Sequence, residues 1–130
     1  MSSKSSLILS DLKNAVNFLT DVISKPPDIY MRAAAIQAFE ICFELSWKYL
    51  QRRLLESGLQ VNSPRAAFRE SGKAGLLDNV EMWLHFMEQR NLTVHTYQSQ
   101  LAQELYKTIS DSFLPSVQEL LASAAESKGV

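Results

Sequence analysis

The chain has 130 residues, with 13 Lys and Arg against 14 Asp and Glu and a net charge of −1 when both histidines are neutral. That length fits one domain with a real hydrophobic core, and the charge balance excludes a global basic field for non-specific nucleic-acid binding, so any RNA contact must be local. Cys42 is the only cysteine, which excludes an intramolecular disulfide; its apolar neighbours mark it as a small core residue.

The polar ends, residues 1–6 and 123–130, are expected to fray. The first segment lacks the apolar core of a signal peptide, and the long apolar stretch from Met31 to Leu50 is interrupted by Arg32, Glu40, Glu44 and Lys48. A cytoplasmic protein with no membrane segment is therefore expected. Leu12, Val16, Leu19 and Ile23 keep helical spacing until Lys25-Pro26-Pro27 ends the first helix. Asp28 caps a second helix that runs to about Glu56 and stops at Ser57-Gly58. A short third helix opens with Ser63 as N-cap and Pro64 in its first turn, and Gly72 and Gly75 limit it. Asp78 with Glu81 makes a capping-box-like start for a fourth helix carrying Val80, Trp83, Leu84 and Met87. The last helix carries Leu101, Leu105, Ile109, Val117 and Leu121, with a kink or break forced by Pro115. No strand alternation or repeat interrupts this pattern, so the class is all-α: one domain, a compact up-and-down bundle of about five helices.

The second helix has a narrow polar stripe of Gln37, Glu40, Glu44, Lys48 and Gln51. Its apolar residues, among them Met31, Ala34, Phe39, Cys42, Phe43 and Tyr49, cover more than half the circumference. Either this helix lies at the centre of the bundle, or part of its surface meets a second subunit. Glu40 and Glu44 lie one turn apart and are read as structural, with Glu44 paired to Lys48 four residues on. Trp83 reads as core. Trp47, at the edge of the stripe, is a candidate for stacking a base. Arg52, Arg53, Arg65, Arg69 and Lys73 form a loose basic group that reads as solvated helix faces.

The chemistry concentrates in Arg90-Asn91-Leu92-Thr93-Val94-His95-Thr96-Tyr97. On an unbroken helix at ~100° per residue, His95 would point roughly 140° away from Arg90. Asn91 and Thr93 suit the end of one helix and the N-cap of the next, so a break is expected here, with Thr93 capping. Such a break turns His95 back toward Arg90, or two copies of the motif face each other across a dimer; the residues permit both. An RNA strand carries its own nucleophile, the 2′-hydroxyl. Scission then needs a group that moves protons near neutral pH, which histidine supplies, and a cation that stabilises phosphorane charge, which arginine supplies. Arg90 and His95 are the catalytic candidates, Asn91 and Trp47 the substrate-binding ones. Tyr97 offers a phenol that can position a phosphate or accept a nucleotidyl group. His85 and His95 lack partners at ligand spacing, so no metal and no cofactor are expected.

With Trp83-Leu84-His85-Phe86-Met87-Glu88-Gln89 in front, the segment to Tyr97 resembles the signature of the HEPN superfamily. More narrowly, it is similar to the nucleotidyltransferase substrate-binding protein family, which includes HepT-like toxins. Phe39-Glu40, Phe43-Glu44 and Trp47-Lys48, then Ser63-Pro64-Arg65, Phe68-Arg69-Glu70 and Gly75-Leu76, follow in family order. The resemblance implies a helical homodimer encoded beside a minimal nucleotidyltransferase. It implies metal-independent endoribonuclease activity, with Arg90 and His95 matching the catalytic pair and Tyr97 matching the residue that the partner modifies with AMP to silence the toxin. Many relatives follow the tyrosine with acidic residues, whereas Gln98-Ser99-Gln100 is neutral here. Two other classes stand beside the nuclease: a non-catalytic subunit that holds a nucleotide or substrate for a two-component nucleotidyltransferase, and a structural helical adaptor.

Overall fold

The computed structural model describes residues 3–128, and among them every regular element is helical. Helix α1 spans Lys4–Ile23, α2 Ile29–Glu56, α3 Pro64–Lys73 and α4 Val80–Leu92. A 3₁₀ turn at Thr93–His95 follows α4. Then α5, Ser99–Thr108, passes through a π-helical turn at Ile109–Phe113 into α6, Leu114–Lys128. Because these last pieces run on without a gap, the chain forms five rods, as expected of the sequence.

Local chemistry accounts for most of the boundaries. Asp28 and Ser63 accept hydrogen bonds from the amides of Met31 and Ala66, satisfying donors that the first turns of α2 and α3 leave orphaned. At the end of α2, Gly58 takes a φ of 93°. There Leu59 N–H reaches the Leu54 carbonyl and Gly58 N–H the Leu55 carbonyl, a Schellman arrangement that any side chain at Gly58 would strain.

Four details correct or sharpen expectation. Asn79, rather than Asp78, caps α4, its side chain accepting from Met82 N–H. The polar N-terminal residues from Lys4 are helical, because Ser3 caps α1 and Ser5 is buried with its hydroxyl donating to Glu56 at 2.8 Å. Residues 123–128 also remain helical, while residues 1, 2, 129 and 130 of the ends expected to fray lie outside the described residues. Finally, the interruption expected at Pro115 takes the form of a π-helical turn at Ile109–Phe113, just ahead of the proline, and the rod continues through it. The proline ring would crowd the carbonyl four residues back, and the chain relieves this by widening the preceding turn, where Leu114 N–H donates to Ile109, five residues earlier.

The core explains why α2 is so widely apolar. It packs against α1, α3, α4, α5 and the π turn, so it is the central rod of a single chain. Around it, Phe39, Phe43, Phe68, Trp83, Phe86 and Phe113 interlock. Phe113 meets Phe39 edge-on at 4.7 Å between ring centres and Phe86 at 5.1 Å. Such pairs contribute about 0.5–1.5 kcal/mol each beyond simple burial. Trp83 is core, as its spacing implied. This aromatic block holds α2 and α4 together and so fixes where the end of α4 projects.

Candidate functional site

Arg90 stands in the last turn of α4 with its guanidinium turned toward α2. Nη1 lies 3.1 Å from Glu40 Oε2, and Nε lies 3.9 Å from Glu44 Oε1. Thr93, buried at the C-cap, completes the arrangement. Its hydroxyl accepts from Arg90 Nη1 at 2.8 Å and has two acceptors for its own hydrogen, Glu40 Oε2 at 3.1 Å and the Arg90 carbonyl at 2.8 Å. Thr93 therefore ends α4 instead of capping the next helix, which is a correction of its expected role. The indole N–H of Trp47 donates to Glu44 at 3.0 Å, extending the polar chain from Arg90 through Glu44 to Trp47.

The expected break after α4 is present, and it separates the motif's polar groups. Beyond the 3₁₀ turn, Thr96 Oγ1 donates to the Thr93 carbonyl and Gln98 N–H to that of His95, so residues 93–98 form a closed, outward-facing turn. His95 is exposed on it, its Nδ1 3.4 Å from the hydroxyl of Tyr97, with the rings edge-on. Tyr97 is 78% exposed. Among the described residues no hydrogen bond or ion pair joins His95 to Arg90. Asn91 is exposed beside Arg90, and Trp47 is half-buried with its ring against the core.

Sequence reasoning missed the acidic side of this site. Glu44 has Lys48 at ion-pair spacing, yet it faces Arg90 and Trp47. The available signal was a pair of carboxylates one turn apart on a largely apolar helix, without enough local cations to balance both. Two carboxylates against one guanidinium leave a local excess of one negative charge. A phosphate reaching Arg90 must therefore displace a carboxylate or bring a second cation. Open space flanks the cluster on both sides. One shallow hollow runs along Gln37, Ile41 and Leu45 beside Arg90, and a cleft lies between the start of α2 and Tyr97. Cys42 belongs to none of this; burial pushes its thiol up to about 12.

The chain is similar to proteins whose names bear on this geometry. Over 89 residues it is 33% identical to a Haemophilus influenzae protein named probable ribonuclease HepT, a match covering 65% of this chain and 61% of that relative's length. A solved structure from Thermus thermophilus superposes with a TM-score of 0.75 at 33% identity, over 88% of this chain and 96% of the other. A Haemophilus influenzae structure, described as revealing the fold of a substrate binding domain of a nucleotidyltransferase, superposes at 0.76 with 27% identity, over 88% and 97%. At 14% identity, a likeness of fold alone joins the chain to a tri-AMPylated Shewanella oneidensis HEPN toxin solved in complex with MNT antitoxin, with a TM-score of 0.79 over 97% of this chain and 99% of that one. Residues 7–126 match the family described as nucleotidyltransferase substrate binding protein like, and the chain belongs to that family.

Proposed function

We propose that this protein is the HEPN-type toxin of a toxin–antitoxin pair: a metal-independent endoribonuclease that uses Arg90 and His95. In this reading a minimal nucleotidyltransferase, encoded nearby, silences it by nucleotidylating Tyr97. The observation that carries the reading is the outward turn after α4, which exposes an imidazole and a phenol side by side just beyond the helix end that carries Arg90. The names of the relatives, a probable ribonuclease HepT and a HEPN toxin bound to an MNT antitoxin, support it.

In the proposed reaction the 2′-hydroxyl oxygen of the RNA attacks the adjacent phosphorus. The bond from phosphorus to the 5′ oxygen breaks, leaving a 2′,3′-cyclic phosphate and a 5′-hydroxyl. One proton leaves the 2′-hydroxyl and one reaches the departing 5′ oxygen, a task suited to imidazole. Arg90 balances charge on the phosphorane. For silencing, the Tyr97 oxygen attacks the α-phosphorus of a nucleoside triphosphate, pyrophosphate departs and the phenol loses its proton.

A homodimer fits this chemistry, because a second copy supplies a second imidazole and a second guanidinium to a site that one chain leaves open. Tyr30 and Val94 are exposed apolar side chains and are proposed to be buried in it, with Tyr97 left open to a partner.

One observation favours the rival reading of a non-catalytic nucleotide- or substrate-binding subunit: Arg90 is held by Glu40 and Glu44 and is apart from His95. Incubation of the purified protein with total RNA in chelator, beside His95→Ala, separates the two. Cleavage by the parent alone supports the nuclease; no cleavage by either protein, with retained nucleotide binding, favours the subunit.

A further inference from the structure

The first turns of α2 and the start of α5 enclose a cleft of about 520 Å³, within the roughly 300–1,000 Å³ of small-molecule sites. Ile36 is buried at its floor, Ile29 and Ala33 form an apolar wall, and the ring of Tyr97 stands at its rim. Arg32 lines the same cleft, half-buried, and its guanidinium makes no ion pair or hydrogen bond among the described residues. Glu40 also lines the cleft, but its carboxylate is already met by Arg90 and Thr93. The cleft thus combines a cation with no partner among the described residues, an apolar wall and, in Gln37, an amide that can both donate and accept.

We infer that this cleft seats one nucleoside 5′-monophosphate unit. Arg32 takes the phosphate through its planar fork of donors, the base lies on Ile29, Ala33 and Ile36, and Gln37 reads the base edge. Two sources present this same chemistry: a nucleotide unit of an RNA strand, or a nucleotidyl group esterified to Tyr97 and folded back over the rim. The second source rests on the functional reading proposed above. It adds a mechanism of silencing, since the modified tyrosine would fill with its own nucleotide the seat that a strand requires.

The test is titration of 5′-AMP into the unmodified full chain, followed by calorimetry. The parent should bind saturably, and Arg32→Gln and Ala33→Trp should each weaken binding by about tenfold or more with helicity unchanged. Should Arg32→Gln lose helicity, Ala33→Trp carries the test, because Ala33 is exposed and a larger side chain there fills the cleft without entering the core. Absence of saturable binding by the parent, or equal affinity in both variants, overturns the seat. A second titration uses protein already nucleotidylated on Tyr97. Loss of 5′-AMP binding there assigns the seat to the tyrosine-linked group, and retention assigns it to the strand. The first titration needs neither cleavage nor a transferase, so inactivity toward RNA would sink the nuclease reading and leave the seat standing.

Discussion

Arg90 of α4 and Glu40 of α2 are joined twice, directly at 3.1 Å and through the Thr93 hydroxyl, which lies 2.8 Å from the guanidinium and 3.1 Å from the carboxylate. The pair is partly exposed, so its contribution is modest. Glu40→Gln should cost about 0.5–1 kcal/mol in chemical denaturation. Arg90→Ala should cost more, about 1–2 kcal/mol, because it leaves Glu40 and Glu44 facing each other without their cation. Adding Glu40→Gln to Arg90→Ala should recover part of that loss. Strict additivity of the two changes would show that the contact contributes nothing to the fold.

His95→Ala is the cleaner functional variant. The side chain is exposed and its single polar contact is to Tyr97, so stability should stay within about 0.5 kcal/mol of the parent. Cleavage of total RNA in chelator should disappear. Cleavage that survives the substitution, or that the chelator abolishes in the parent, removes the metal-free imidazole mechanism.

The sequence made the rods legible where the signals were local. Pro26-Pro27, Ser57-Gly58 and Ser63-Pro64 act on their own neighbours, and the structure ends and starts helices at those places. The spacing of Leu105, Ile109 and Val117 likewise marked the buried face of the last rod. The illegible parts were tertiary. Glu44 has a correctly spaced Lys48 on its own helix, yet the partner is an arginine from α4, which only the packing of α4 on α2 brings near. Helix α1 begins among serines because Glu56, at the far end of α2, receives Ser5. The break after α4 was readable from Asn91 and Thr93, but the turning of Arg90 inward and His95 outward was not.

Tyr97→Phe removes only a hydroxyl from an exposed ring, so the fold should be unaffected. On the proposed reading, co-expression with a minimal nucleotidyltransferase should add AMP-sized mass to the parent at Tyr97 and none to the variant, whose RNA cleavage should then resist silencing. Additions mapping to another residue, or an unchanged parent mass in the presence of active transferase and nucleoside triphosphate, would exclude the regulatory role.

Cys42 links stability to alkaline pH. Its folded-state value of about 12 lies above the ordinary 9.0, so the unfolded chain loses this proton first as pH rises. The unfolded state then binds fewer protons, and stability falls progressively between pH 9 and 12. Iodoacetamide should fail to label the folded protein near neutral pH and label it readily in denaturant. Rapid labelling of the folded chain would place the thiol outside the core.

Gly72 tests the packing of α3 on α4. A Cβ at this position would collide with the Val80 side chain, and Gly72→Ala should cost about 1–3 kcal/mol through overpacking. The double variant with Val80→Ala should regain part of that loss, as read from denaturation midpoints; no recovery would locate the strain elsewhere.

The closed turn at residues 93–98 has a kinetic consequence for any enzyme acting on its phenol. Thr93 ties its start to Arg90 and Glu40, Thr96 and Gln98 close it by bonds within the turn, and the ring of Tyr97 projects from the native fold. The acceptor is thus presented without any prior opening of the bundle. Modification should proceed at a rate set by encounter between the two proteins, indifferent to mild denaturant below the unfolding transition and uncorrelated with amide exchange in α4 and α5.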